Sequence, residues 1–135
     1  MKVVVDTNVI VSALLSANGP PAKILSLILN EKLKLLYDNR ILFEYIEVLS
    51  RKEFGFNNET INDLIDFFKH EGEYINASHS NEVFYDETGK KFYEVHKSGG
   101  AQYLITGNKK HFPGEDTIVT PADFLLKGGR EKQKR

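Results

Sequence analysis

Polar residues of the kind that bind cations or activate water follow two apolar segments of this chain. Asp-Thr-Asn at 6–8 comes directly after the β-branched run at 3–5, and Asn108 comes shortly after the apolar segment at 101–106. A carboxylate at the end of a buried strand is costly unless a partner compensates its charge. Asp6 is therefore a candidate catalytic residue, and the alternative is that its side chain caps the next turn.

Three further acidic side chains lie in or just before predicted helices. Glu44 lies within a helix, where a glutamate is commonly solvated, and Asp86 and Glu87 precede the next-to-last helix. The helix dipole favours acidic residues at that place, which is the alternative to a chemical role for Asp86 and Glu87. All three are candidates for a cluster of carboxylates around Asp6.

The elements that must position these residues alternate between strands and helices. Apolar runs predict strands at 3–5, 33–37, 74–77, 101–106 and 118–120, and helical spacing predicts helices at about 20–31, 40–51, 57–72, 90–97 and 121–126. This alternation indicates an α/β fold with a parallel sheet of four to five strands and helices on both faces. In such sheets the functional crevice lies beyond the carboxyl ends of the strands, where the strand order reverses. We therefore expect residues 6–8 and 106–108 to meet at that edge.

The composition is that of a soluble globular protein and fits one domain. The chain has 135 residues, of which 41% are hydrophobic and 27% charged, and it has no cysteine. The lack of cysteine excludes a disulfide framework, a zinc ribbon and a cysteine nucleophile. No apolar run approaches the roughly 20 residues of a membrane span, so we expect a cytoplasmic protein without a membrane partner.

The net charge of −1 is the sum of two unlike parts. Residues 128–135 hold four basic residues and one acidic residue, so the rest of the chain is more acidic than the total suggests. An acidic body is not the surface expected of a protein that holds nucleic acid through phosphate contacts alone. If nucleic acid is the substrate, metal ions must supply part of the positive charge.

Three parts of the chain together resemble a PIN domain of the bacterial group that contains toxins of toxin–antitoxin systems. They read VVVDTNVIVSALLSANGPPAKIL near the start, YDNRILFEYIEVLSRKEF in the middle, and KKFYEV, AQYLITGNKKHFP and IVTPADFL in the last third. The resemblance spans about residues 2–126. It implies a single three-layer α/β/α sandwich, which we expect to span 1–127. From their composition, residues 128–135 are expected to form a basic, disordered tail.

The resemblance implies a ribonuclease that uses Mg²⁺ or Mn²⁺ to hydrolyse RNA phosphodiester bonds. Asp6 matches the family's first metal-binding aspartate, Asn8 the polar residue that helps to position it, and Glu44 the second acid. Hard divalent cations prefer oxygen ligands and keep several waters, which explains the need for carboxylates. The resemblance also implies a small protein antitoxin as partner, and it allows a homodimer.

The chain departs from the family pattern at the third acid. Gly89 stands three residues before Phe92, where the family usually has an aspartate. Asp86 and Glu87 become the substitutes as catalytic or metal-binding groups if the loop rearranges, because glycine permits backbone conformations that other residues resist. The alternative is a catalytically impaired PIN domain that binds RNA or a protein partner.

The fourth acid of the family is also replaced, here by Asn108. We interpret its amide as a group that orients water or phosphate beside Thr106. Lys109 and Lys110, which follow it, are candidate contacts to the RNA backbone, and the alternative is that they are solvated loop lysines.

An alternative from another enzyme class is that Asp6 is the nucleophile of a phosphotransferase or phosphatase. Covalent aspartyl chemistry is physically reasonable at the end of a strand. The chain has no second aspartate two residues after Asp6 to act as acid or base, and a receiver domain's acidic pair is likewise missing. The nuclease reading is therefore preferred.

Overall fold

The computed structural model describes residues 1–84 and 87–133, with side chains through Lys127. Strands and helices alternate along most of these ranges. In chain order they are β1 (Lys2–Val5), α1 (Thr7–Leu15), α2 (Pro20–Leu29), β2 (Lys34–Tyr37), α3 (Asn39–Leu49), α4 (Asn58–Glu71), β3 (Glu73–Tyr74), α5 (Lys90–Gly99), β4 (Tyr103–Ile105), β5 (Ile118–Val119) and α6 (Pro121–Gln133). Two short 3₁₀ turns, Glu87–Gly89 and Lys109–His111, precede α5 and follow β4.

The five strands form one parallel sheet in the order β3-β2-β1-β4-β5. Val3 of β1 pairs with Leu35 of β2 on one side and with Tyr103 of β4 on the other. The described helices flank the sheet, and α5 packs across β1, β2 and β4. The prediction of an α/β fold with a parallel sheet is thus confirmed, and the strand order reverses between β1 and β4.

Local capping chemistry explains where the helices begin. Asp38 caps α3, because its Oδ1 accepts a hydrogen bond of 3.0 Å from the backbone N–H of Ile41. Asn57 caps α4 in the same way, accepting 2.7 Å from the N–H of Glu59. At the other end of α5, Gly100 adopts a left-handed conformation with φ of 64°, which glycine takes at low cost.

Helix α1 was not predicted from the sequence. It starts directly after β1 and buries the apolar residues Val9, Ile10, Val11 and Ala13. A short segment rich in β-branched residues resembles a continued strand, so its helical period is hidden. The helix matters for function, because it places residues 7 and 8 in its first turn rather than in a loop.

The ends of the chain's last elements also differ from the prediction. β3 contains only Glu73–Tyr74, so the strand predicted at 74–77 is shorter and starts earlier. Helix α6 extends to Gln133, past the domain boundary predicted at residue 127. The disorder expected of residues 128–135 stays a prediction. Within the described ranges, no helix has both the length and the apolar character needed to cross a bilayer.

Candidate active site

The carboxylate of Asp6 lies at the carboxyl end of β1, beside the end of β4. The backbone N–H of Asp6 donates to the carbonyl of Ile105 at 2.9 Å, which fixes the two strand ends together. Its Oδ2 accepts a hydrogen bond of 2.7 Å from the hydroxyl of Thr106. Asp6 precedes α1, but its side chain makes no capping hydrogen bond. The alternative that Asp6 serves as a side-chain cap is therefore wrong.

Glu44 reaches the same place from α3. Its Oε2 accepts a hydrogen bond from the hydroxyl of Thr7, the residue after Asp6. The next residue of α3, Tyr45, is buried and donates from its hydroxyl to the carbonyl of Val5 at 2.5 Å. This bond holds α3 against the end of β1, so the two predicted carboxylates meet as expected.

The pKa of Asp6 reflects this crowded setting. Burial raises it above its ordinary value, and the charge of Glu44 raises it further, while the hydrogen bond from Thr106 opposes both. Burial also raises the pKa of Tyr45 well above its ordinary value, so its hydroxyl keeps the proton it donates to Val5. A cation placed between Asp6 and Glu44 would relieve the repulsion between them.

Thr106 connects the two polar segments that follow β1 and β4. It is fully buried, and its hydroxyl donates to Asp6 while accepting 3.0 Å from the backbone N–H of Asn108. One side chain thereby orients the carboxylate and the turn that carries Asn108. The predicted meeting of residues 6–8 with 106–108 is confirmed.

The cleft at this edge of the sheet is open, has a volume of about 450 Å³, and is lined by Asp6, Asn8, Glu44 and Asn108 among other residues. Its wall is formed by Asp6, Thr7, Asn8, Val11, Ser12, Glu44, Val48, Phe54, Thr88, Gly89, Asn108, His111 and Phe112. The amide oxygen of Asn8 is buried and has no hydrogen-bond partner. Lys109 and Lys110 are exposed in the 3₁₀ turn after Asn108 and do not line the cleft.

The predicted site has least support at the third acid, for which Asp86 and Glu87 are the candidates. Asp86 lies outside the described residues. The side chain of Glu87 is 77% exposed, is 3.9 Å from the ammonium of Lys90, and does not line the cleft. Its assignment as a metal ligand stays a prediction, and the structure does not bring it to Asp6.

Gly89 does not use the special freedom of glycine. Its φ of −79° and ψ of −16° are open to any residue, so the permissive backbone expected here is absent. The ring of Phe112 packs against it instead: a Cβ at this position would lie 3.1 Å from Cζ of Phe112. An aspartate at residue 89 would require that ring to shift by a few tenths of an ångström.

Lys91 is a site residue that sequence reasoning missed. Its Nζ lies 2.7 Å from Oε1 of Glu44 and donates to the carbonyl of Thr88 at 2.7 Å. Helical spacing places it on the same side of α5 as Glu94 and Val95, both buried. That spacing was the available signal, but it does not show that the side chain reaches α3.

The oxygen donors of the cleft fit a hard divalent cation. Among the side chains that the structure describes, at 1–84 and 87–127, no group of three or more histidine, aspartate or glutamate residues could hold a metal. The cleft offers two carboxylates, Asp6 and Glu44, and is also lined by Asn8, whose amide oxygen is buried without a hydrogen-bond partner. Mg²⁺ and Mn²⁺ are commonly bound by one or two carboxylates and otherwise by water and substrate phosphate.

Comparison with known proteins places the site within one family. Residues 2–110 match the family model of the PIN domain, a range that includes every candidate site residue. An uncharacterized protein of Methanocaldococcus jannaschii is 37% identical over 113 residues, covering 81% of this chain and 72% of that protein. The match supports the fold and the family, and it brings no activity with it.

Proposed function

Since the chain belongs to the PIN domain family, whose members are generally nucleases, we propose that it is a metal-dependent endoribonuclease that hydrolyses RNA phosphodiester bonds. One observation carries the proposal. The carboxylates of Asp6 and Glu44 come from β1 and α3 and meet in one cleft, at the point where the strand order reverses. That point is where open parallel sheets place their ligands.

Mg²⁺ or Mn²⁺ would be held by Asp6 and Glu44, with Asn8 as an oxygen donor beside them. The cation would lower the pKa of a water and neutralise charge that develops on the phosphate. Thr106 holds the carboxylate of Asp6, and Thr7 holds that of Glu44, so both acids are fixed before substrate arrives. This preorganisation is the main contribution of the chain's own residues.

The remaining predicted residues act on the substrate in this proposal. Asn108 lines the cleft, where its amide would orient a water or a phosphate oxygen. Lys109 and Lys110 are exposed beside it and would contact the RNA backbone. Asp86 and Glu87 are the proposed sources of a third carboxylate.

We further propose that the protein acts in the cytoplasm as the toxin of a toxin–antitoxin pair. A small protein antitoxin would inhibit it by covering the open cleft, since substrate and metal both enter there. A homodimer is compatible with this arrangement. Co-purification of the toxin with the product of a neighbouring small gene, and loss of RNA cleavage in that complex, would support this role.

The nuclease proposal is tested with purified protein, Mn²⁺ and a fluorescent single-stranded RNA. The isosteric variants Asp6→Asn and Glu44→Gln each remove one charge, and we expect about 100-fold or greater loss of cleavage. Asp63→Asn removes an exposed charge on α4 and should cleave like the wild type. Cleavage that persists in both site variants would refute the assignment.

A second candidate is an impaired PIN domain that binds RNA or protein without cleaving. Two observations favour it: Gly89 stands where a third acid is expected, and the ammonium of Lys91 lies on Glu44. The double variant Gly89→Asp, Phe112→Leu supplies the acid and makes room for it. An inactive wild type together with an active double variant would establish impairment, and an active wild type would exclude it.

A further inference from the structure

The ammonium of Lys91 contacts one carboxylate of the acidic pair, that of Glu44. It lies 2.7 Å from Oε1 of Glu44, and its side chain is only 16% exposed, against 25% for Glu44. A second hydrogen bond to the carbonyl of Thr88 and a distance of 5.2 Å to the ring centroid of Phe92 hold it in place. A partly buried ion pair with this support is screened far less than one on the surface.

Both carboxylate oxygens of Glu44 are therefore engaged before any metal arrives. Oε2 accepts from the hydroxyl of Thr7, and Oε1 accepts from Lys91. A divalent cation that bound Oε1 would lie within a few ångströms of the ammonium, where two positive charges repel strongly. The neutral hydroxyl of Thr7 poses no such conflict.

We propose that Lys91 is an internal counter-ion of Glu44 that competes with the divalent cation and must leave Oε1 before the metal can bind. This inference rests on the proposed metal-dependent function. It assigns Lys91 as a positioning residue that keeps the acidic pair neutralised in the metal-free protein. The apparent metal affinity is then lowered by the fraction of molecules in which Lys91 holds Glu44.

Lys97 provides a matched control on the same helix, α5. Its ammonium forms an ion pair with Glu115, which is not a proposed ligand of the cation, and lies 5.4 Å from the ring centroid of Tyr93. Lys97→Met and Lys91→Met remove the same charge from the same helix. A difference between them therefore reports the contact with Glu44 and not the net charge.

The experiment measures Mn²⁺ binding to the full chain by the electron paramagnetic resonance signal of free Mn²⁺. We expect Lys91→Met to bind Mn²⁺ about tenfold more tightly than the wild type, a difference of about 1.4 kcal/mol. Lys97→Met should stay within about twofold of the wild type. Equal binding by Lys91→Met and Lys97→Met would overturn the inference while leaving the proposed function intact, and no binding by any of the three proteins would overturn both.

A second measurement needs no substitution and covers the case in which Lys91→Met does not fold. The ε-carbon signals of the lysines in the wild type are followed by nuclear magnetic resonance as Mg²⁺ is added. The signal of Lys91 should shift as its ammonium leaves Glu44, and that of Lys97, which pairs with Glu115, should stay constant. A Lys91 signal that does not move at saturating Mg²⁺ would contradict the proposal.

Discussion

The environment of Asp6 in the folded protein disfavours its ionised form. Burial and the charge of Glu44 raise its pKa, so in the folded protein its ionised form is less favourable than in the unfolded chain. For a carboxyl whose folded pKa is raised, the free energy of unfolding decreases as pH rises through the region between the two pKa values. Ionisation of Asp6 in the folded protein therefore costs stability, which a cation bound beside its carboxylate would return.

We expect Asp6→Asn to raise the free energy of unfolding at pH 7 in EDTA by roughly 1 kcal/mol, within the range of single stabilising substitutions. The amide oxygen of asparagine still accepts from Thr106, and the repulsion with Glu44 is removed. Urea denaturation followed by circular dichroism measures the change. Mn²⁺ should stabilise the wild type and not the variant. A variant less stable than the wild type in EDTA would show that Asp6 contributes to stability in its ionised form.

His96 is a second residue whose environment disfavours its charged form. Burial, followed by the charge of Lys97, lowers its pKa from 6.5 to about 4. Its Nε2 lies 3.1 Å from the hydroxyl of Thr117, and its Nδ1 is buried without a hydrogen-bond partner. Because the folded pKa is lowered, the unfolded chain takes up the proton first as the pH falls.

We expect the free energy of unfolding to decrease as pH falls from about 6.5 to about 4, with a slope from His96 of at most about 1.4 kcal/mol per pH unit. His96→Gln removes the titrating group and should flatten this slope. His70→Gln, an exposed histidine on α4, serves as control and should retain it. Urea denaturation at intervals from pH 7 to pH 4 measures both. Equal slopes in the wild type and His96→Gln would contradict the assignment.

At the scale of elements, Glu94 connects α5 to α3 and to the segment around Ser80, which precedes the candidate third acids Asp86 and Glu87 in the chain. It is buried at 2% exposure, and its Oε1 lies 2.7 Å from Nη1 of Arg40 on α3. Its Oε2 accepts from the backbone N–H of Ser80 at 2.6 Å, and Nδ1 of His79 lies 3.3 Å away. The arginine and the Ser80 hydrogen bond help to hold the pKa of Glu94 below its ordinary value against the effect of burial.

We expect Glu94→Gln to lower the free energy of unfolding by about 2 kcal/mol, because one charge-assisted hydrogen bond is lost and, among the described residues, Arg40 keeps only Asp38 as a charged partner. The amide of Ser80 should also exchange with solvent faster, as measured by hydrogen–deuterium exchange. Glu82→Gln in the same segment has an exposed side chain and should change neither quantity. Unchanged exchange at Ser80 in Glu94→Gln would show that other contacts fix this segment.

The sequence predicts these elements well where the apolar period is long, and poorly where it is short. The helices α3 and α4 are found within one or two residues, since each has a polar cap and a clear apolar face. Helix α1 is missed because nine residues rich in Val and Ile, directly after a strand, carry no distinct helical period. Local pattern cannot resolve such a segment, and only its packing on α2 and α3 decides it.

The candidate site is likewise predictable from the sequence only in part. Asp6, Asn8 and Asn108 are predictable because parallel strands deliver their carboxyl ends to one edge. Glu44 is predictable only through the resemblance to the PIN domain, and the structure places all four residues in one cleft. The role of Lys91 is not predictable, since its contact with Glu44 depends on the separation of α5 and α3 in space. Sequence pattern gives the face of a helix on which a side chain lies, but not the partner that it meets.

At the scale of the whole molecule, the small net charge is the sum of a basic segment at 128–135 and an acidic remainder. The net charge is −1, and four basic residues lie at 128–135 against one acidic residue, so the body that carries the cleft is acidic. Its carboxylates repel a phosphate backbone unless a cation neutralises them. The affinity for RNA should therefore depend on the metal as well as on lysine contacts.

We expect a single-stranded RNA analogue that resists cleavage to bind more tightly, by about tenfold or more, in Mn²⁺ than in EDTA, because bound metal adds positive charge where the phosphate must lie.

The double variant Lys109→Ala, Lys110→Ala should weaken binding and, if both lysines contact phosphates, reduce the slope of log affinity against log salt by about 1.4. Lys32→Ala with Lys69→Ala removes two exposed lysines elsewhere and is the matched control. Fluorescence anisotropy at several salt concentrations measures both effects. An affinity equal in Mn²⁺ and EDTA would mean that RNA binds away from the acidic cleft, and equal slopes for the two double variants would remove Lys109 and Lys110 from the RNA interface.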